Sequence, residues 1–383
     1  MLKTKLVLLL ISLIKIVFSF KLNNTFNNEE AVSVLSKVEI NNNRFTLNYL
    51  ASGGFLGSIK IWDLSNGVLK YTFDKSNGGH TDWVIGLAPL ENGYLASGSS
   101  DKTVKVWDLV NNKLKFNFDK SQGGHSDYVY SVVSLENGYL ASGSDDTTIK
   151  IWDVANGKLK FTLNQSNGGH SGEVRALVAL ENGYLASGSD DATIKIWDIT
   201  NGKLKFTFDE LNGGHSGKVR SLALLDNGFL ASGSRDKTLK IWDITNGKIK
   251  FTFDEPNADY TLWVSLKALE NGYLAGGSDD ATIKIWDITN GKLKFTFDQS
   301  LGGHSYSVHS IASLENGYLA SGSDDDSVKI WDTTNGRLKY TFDQSNGGHY
   351  GPVYSVISLE NGYLASGSGD RTIKIWDLEN LKI

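Results

Sequence analysis

Cysteine is absent from the 383 residues, and proline and methionine are scarce, at three and one. Without cysteine there is no disulfide scaffold, no cysteine-ligated zinc or iron–sulfur site and no thiol nucleophile. The absence assigns no redox compartment, since reducing and oxidising environments both tolerate it. Charge of one sign is not in large excess: 38 basic against 43 acidic residues leave −5, so no global field draws the protein to nucleic acid or anionic lipid. At 40% apolar and 21% charged residues the balance is that of a soluble globular chain, and one this long buries roughly three quarters of its surface. That argues against disorder and against a multi-span membrane protein.

Only the first twenty residues break this pattern. Lys3 and Lys5 precede a short, mostly apolar run from Leu6 to Ile14, followed by Lys15 and then Ile16-Val17-Phe18-Ser19. This is the order of a secretory leader, with Val17 and Ser19 at the two small-residue positions before cleavage, and the run is too short to span a bilayer alone. Residues 1–19 are therefore expected to be removed, with an uncleaved anchor or a cytosolic tail as the alternative. Removal would take away three lysines and no acid, moving the formal charge from −5 to −8. The sequons at Asn23 and Asn164 would matter only along that route.

What is abundant is glycine, 41 residues of it, and repetition. Trp-Asp pairs stand at Trp62, Trp107, Trp152, Trp197, Trp242, Trp286, Trp331 and Trp376, every 45 residues with one interval of 44. No linker interrupts them, so residues 20–383 read as one domain built by repetition. Within one unit, VYSVVSL leads to Glu136-Asn137-Gly138, YLASGS to Asp145-Asp146, TIKIWD to Asn156-Gly157, and KLKFTL closes. Asn-Gly is a strong hairpin signal because a two-residue type I′ turn needs positive φ at both positions. Each unit is thus a four-stranded antiparallel meander, and no run between breaks is long enough for a stable helix.

One such sheet cannot bury both faces, whereas sheets packed face to face around an axis can; at this period the fold is an all-β propeller. The units resemble WD40 repeats over essentially all of residues 31–383, with Gly-His, SGS-x-D and Trp-Asp at fixed separations. Eight Trp-Asp units imply eight four-stranded blades, with seven blades plus an irregular N-terminal unit as the alternative. Little chain follows Trp376-Asp377, while Lys21–Phe26 looks like a worn copy of the KLKFTF outer strand. The two ends are expected to meet, residues 21–26 completing the last blade.

His125, Ser142 and Asp146 offer the residue types of a nucleophilic triad. The set recurs as His80/Ser97/Asp101, His170/Ser187/Asp191, His215/Ser232/Asp236, His304/Ser321/Asp325 and His349/Ser366/Asp370, always 17 and then four residues apart. A catalytic site is needed once, a scaffold bond in every blade. The resemblance implies buried chains running from Trp107, Trp152, Trp197, Trp242, Trp331 and Trp376 through Ser and His to Asp. No nucleophile elbow, Walker loop, HExxH or EF-hand loop accompanies them; no catalytic residue, cofactor or metal is expected, the Asp324-Asp325-Asp326 cluster included. Two units depart: the first has Ser52 and Trp62 but Leu56 in place of Asp and no Gly-His, and the sixth has Tyr260 and Gly276 where His and Ser belong. These are expected to be looser blades, with loops released for recognition as the alternative.

The repeats also serve as their own alignment. The third residue after His runs Trp83, Tyr128, Glu173, Lys218, Trp263 (counted from Tyr260), Ser307, Pro352. The fifth runs Ile85, Tyr130, Arg175, Arg220, then His309 and Tyr354, and the residue before the structural Asp runs Ser100, Asp145, Asp190, Arg235, Asp279, Asp324, Gly369. The resemblance places these positions around the narrow top face. Aromatic residues and arginine mixed with acids make the composition of an interface, so the expectation is a non-catalytic scaffold binding a protein or peptide through that face. A secreted carbohydrate- or small-ligand-binding propeller is the competing expectation, and a hydrolase stands third. Neither a nucleic-acid partner nor a membrane span in the mature chain is expected. The predicted location is the secretory pathway or outside the cell, with a cytoplasmic or tethered protein as the alternatives.

Overall fold

The computed structural model describes residues 24–42, 45–225, 228–254, 263–360 and 362–379. The proposed leader lies outside them. Their strands form eight sheets of four, each antiparallel throughout. In the third sheet Val129–Leu135, Tyr139–Ser144, Ile149–Asp153 and Lys158–Leu163 follow one another from the axis outward. The turn chemistry sets these limits. Asn137 and Gly138 take φ of 61° and 75°, the left-handed pair that a tight hairpin requires. Asp153 closes the outer hairpin by accepting from the backbone N–H of Ala155 at 2.9 Å and of Asn156 at 3.1 Å. Among the described residues helical structure is limited to three-residue 3-10 turns, and none is long and apolar enough to cross a membrane.

The first unit is a full blade, Val32–Asn42, Phe45–Gly54, Ile59–Asp63 and Val68–Phe73, so the ring has eight blades. The eighth takes Val353–Ser358, Tyr363–Ser368 and Thr372–Asp377 from the end of the chain and Asn24–Asn27 from its beginning. Thr25 lies opposite Lys374 and Phe26 opposite Ile373; residues 21–23 lie outside the described residues.

Neighbouring blades interlock through one repeated contact. In most blades the last aromatic of the outer strand packs on the tryptophan of the following blade, as Phe118 does on Trp152 with ring centroids 4.3 Å apart; in the third blade Leu163 takes that place. The closing strand makes the same contact, Phe26 lying on Trp62 at 4.9 Å and 11°. Blades approach too closely for any other side chain at the glycine of the second strand: a Cβ on Gly143 would sit 2.8 Å from Val174 Cγ1. The second-to-third turns and the crossings between blades share one face of the ring, called the top here.

Candidate functional site

The triad residues are sealed inside the blades. Trp152 Nε1 donates to Ser142 Oγ at 2.9 Å, Ser142 Oγ lies 2.7 Å from His125 Nε2, and His125 Nδ1 lies 2.9 Å from Asp146. One donor order satisfies every atom: the indole N–H to Ser, the Ser hydroxyl to imidazole, the imidazole Nδ1–H to carboxylate. Asp146 then accepts the backbone N–H of Ser126 and the Thr148 hydroxyl, fastening the crossing loop to the second-to-third turn.

The other five sets repeat this chain. Ser97, Ser187, Ser232, Ser321 and Ser366 lie 2.7 or 2.8 Å from the Nε2 of His80, His170, His215, His304 and His349. They accept the indole N–H of Trp107, Trp197, Trp242, Trp331 and Trp376 at 2.8 or 2.9 Å, and each His–Asp contact measures 2.9 or 3.0 Å. Burial lowers the His125 pKa despite Asp146 beside it, so the ring is neutral. Burial works the other way on Asp146, but the His125 contact and its remaining hydrogen bonds prevail and hold it well below the usual carboxylate range.

The serines of these sets are closed off from solvent. Ser97, Ser142, Ser187, Ser232, Ser321 and Ser366 are all 0% exposed, each with its oxygen engaged by Trp and its proton by His. The residue types are those of a nucleophilic triad, but here they are held in an enclosed bond, and no substrate carbonyl can reach a hydroxyl enclosed in this way. All six belong to the frame, and the six sets act as rivets.

The same loops aim the variable residues. Each inner strand carries a β-bulge directly after its first residue; in the third blade Val129 pairs with Ser144 and Ser131 with Gly143, leaving Tyr130 unpaired. A bulge turns one side chain out of the pleat. Ser33, Ile85, Tyr130, Arg175, Arg220, His309 and Tyr354 occupy this position. A second bond gathers the other two variable positions: Ser100 N–H donates to Trp83 O, Asp145 to Tyr128 O, Asp190 to Glu173 O and Arg235 to Lys218 O, all at 2.9 Å. Asp324 bonds Ser307 O, and Gly369 bonds Pro352 O, in the same way. Three variable residues per blade therefore converge on the top face.

They form two arcs. Trp83 stacks on Phe55 at 4.7 Å and 10°, Phe55 meets Tyr354 at 5.4 Å, Tyr354 meets His309 at 5.3 Å, and His309 Nε2 reaches Asp324 at 2.7 Å. Tyr128 and Tyr130 continue this arc edge to face. Beyond them the character changes. Arg175 lies 3.7 Å over the Tyr130 ring and pairs with Glu173, while Asp190, half-buried with its side chain 5% exposed, receives Lys218 at 2.6 Å and Arg220 at 3.0 Å. Burial alone would raise the Asp190 pKa; the Arg220 and Lys218 contacts outweigh it and keep the group ionised.

A sequence profile described as "WD domain, G-beta repeat" matches residues 67–108, 116–153, 157–198, 202–243, 264–287, 295–332 and 336–377. The chain belongs to the WD40-repeat family. Each full-length WD40 match begins at the outer strand of one blade and ends at the third strand of the next, so repeat and blade are offset by one strand. Among solved structures the WD40 propeller is similar to the computationally designed Ika8 protein, at 27% identity, TM-score 0.74, and coverage of 92% of this chain and 97% of that one. No curated protein matches the chain by sequence. WD40 propellers are commonly protein-interaction scaffolds and typically non-catalytic.

Two WD40 blades depart from the frame, as the sequence indicates, but the first is not loose. Trp62 still donates to Ser52, at 3.1 Å. Glu30, buried, accepts from the backbone N–H of Leu56, from the Ser58 hydroxyl and from Ser58 N–H at 3.1 Å. Its carboxylate does from the crossing loop what Asp101 does for Thr103 from the turn. In the sixth blade Asp280 keeps its bonds to Thr282 at 2.9 and 2.6 Å, while Tyr260 lies outside the described residues.

The register corrects one assignment. Trp263 pairs with Ser278, the place taken by Val129 opposite Ser144 in the third blade, so it stands one position later than the count from Tyr260 implies; the 44-residue interval takes up the missing residue. Of the other expected ring residues, Ile85, Ser307, Pro352, Asp145 and Asp279 are half-buried, Ser100 is buried and Arg235 is exposed. The expected set omitted Phe55, Leu56, Tyr306 and Tyr350. Phe55 N–H donates to Ala31 O at 3.2 Å, which puts Phe55 at the place of Ser100; counting back from Trp62 would have found it.

Proposed function

We propose that this WD40 propeller holds a protein or peptide partner on its top face. The aromatic arc carries the reading. Five consecutive blades, from the seventh through the eighth to the third, present Tyr306 at 64% exposure, Tyr350 at 70%, Leu56 at 69%, Trp83 at 38% and Tyr128 at 41%. Side chains of this kind, left in water on loops held by the buried rivets or, in the first blade, by Glu30, supply contact area with little ordering entropy to lose. The Trp83–Phe55 stack offers a flat platform that a sugar ring would also fit, and glycan-array binding distinguishes that reading. Replacing Trp83, Tyr128 and Tyr354 together by Ala should abolish partner capture while leaving the thermal transition in place. Retention of every partner by the folded triple variant would place recognition elsewhere. We also propose that the chain enters the secretory pathway with residues 1–19 as a cleaved leader, which N-terminal sequencing of the mature protein tests.

A further inference from the structure

Resting on the partner-binding reading above, we infer that the partner is an extended protein segment of two unlike halves, an apolar or aromatic anchor followed by a run of carboxylates. The two arcs of the top face carry this. On the fourth and fifth blades four cations, Arg175, Lys218, Arg220 and Arg235, face two carboxylates, Glu173 and Asp190, besides the enclosed Asp191 and Asp236 of the buried chains. Asp190 is already engaged by Lys218 and Arg220, and Glu173 by Arg175. Arg235 is exposed and has no ion-pair partner among the described residues. The carboxylates of this sector are thus enclosed or engaged, and the charge it presents to solvent is positive on a chain whose formal charge is −5. Arg175 also approaches Asp190, at 3.7 Å, and a loop that only needed to fold would not gather three cations about one half-buried carboxylate.

The aromatic arc has the opposite sign. Asp82, Asp127, Asp145, Asp324 and Asp326 stand among its rings, and Lys102 pairs with Asp127 at 3.2 Å. An acidic stretch is repelled there and drawn to the fourth and fifth blades, so the field fixes which way a bipartite segment lies. The arcs meet at Tyr130 and Arg175, whose ring and guanidinium are in contact. The segment therefore passes from apolar to acidic over the junction of the third and fourth blades. Four cations on one sector are too few, and too local, to track a nucleic-acid backbone.

The test is selection of random twelve-residue peptides displayed on phage against the full-length protein. Enriched peptides should pair an aromatic or aliphatic residue with a cluster of Asp and Glu, and their affinity should fall at least about fivefold between low and high salt as charges are screened. The Lys218→Gln, Arg235→Glu double variant should lose the acidic enrichment and bind the selected peptides at least about tenfold more weakly. Arg235→Glu alone, which breaks no ion pair, should show the same direction if the double variant fails to fold. Peptides without acidic bias that are nevertheless lost on Trp83→Ala with Tyr128→Ala would overturn this inference and leave the partner-binding reading standing. Peptides that bind all variants equally, or no enrichment over an unrelated bait, would overturn both.

Discussion

Replacing Phe26 by Ala removes the one ring that ties the beginning of the chain to both ends of the propeller at once. Phe26 is 5% exposed, pairs across to Ile373 and stacks on Trp62, within a cluster that includes Val32, Leu50 and Ile375. Truncating a buried Phe to Ala costs about 3–5 kcal/mol, the lost transfer energy plus the cavity left behind. An unfolding entropy of about 2.1 cal/mol/K per residue amounts to about 0.75 kcal/mol/K for the roughly 360 residues of the ring, so the melting temperature should fall by about 4–7 °C. Phe118→Ala is the matched control, because Phe118 makes the same stack on Trp152 in a blade with no chain end. Thermal and urea unfolding followed by circular dichroism measure both. Hydrogen exchange adds a local readout: amides of Thr372–Asp377 should lose protection in the Phe26 variant alone. If Phe118→Ala lowers the transition as expected while Phe26→Ala leaves it within about 1 °C, the strand does not hold the ring closed.

Ser142→Ala leaves the Trp152 indole N–H and His125 Nε2 without partners, and should destabilise by about 1–3 kcal/mol; a urea midpoint equal to that of the parent would show the rivet to be idle. Six buried histidines have pKa values lowered from 6.5. Below that pH the unfolded chain binds more protons, so stability should fall as pH drops from about 6.5 toward the lowered folded values, by up to about 1.4 kcal/mol per pH unit for each histidine. The aspartates paired with them, held low, extend the loss below about pH 4. Urea midpoints that stay flat or rise between pH 7.5 and 5 would contradict this. Glu30→Gln keeps the shape but removes the charge that Leu56 and Ser58 donate to, and should cost about 1–2 kcal/mol, seen as faster exchange at the Leu56 and Ser58 amides; unchanged exchange there would remove Glu30 from its role.

The architecture was legible because one pattern is printed eight times: Asn-Gly fixes the hairpins, the β-branched runs fix the strands, and multiplicity alone turns His125, Ser142 and Asp146 from a triad into a rivet. The site was legible only in part. Position counting found Tyr130, Arg175 and His309, but a β-bulge leaves no mark of its own in composition, so the reason these residues face outward came from the pairing of Val129 and Ser131. Counting failed where the frame slips, at Trp263, and where a blade solves the same problem with other atoms, as Glu30 does. Tyr306 and Tyr350 were missed because they occupy positions that elsewhere hold Asp, Gly, Ser or Thr, and only their exposure shows them joining the arc.

The closing strand also sets a timetable. Asn24–Asn27 precede every other described strand, yet their partner Thr372–Asp377 follows about 350 residues later, an interval of about 20–70 s at ordinary rates of synthesis. For that time Phe26 has Trp62 within reach but no sheet to join, and each nascent blade exposes an unpaired edge to the next. A ribosome that stalls before residue 372 releases an open ring with seven blades' worth of apolar surface and its lock still unmatched. Loss of the strand Thr372–Asp377 is thus a heavier lesion for this molecule than loss of the same number of residues from any surface turn.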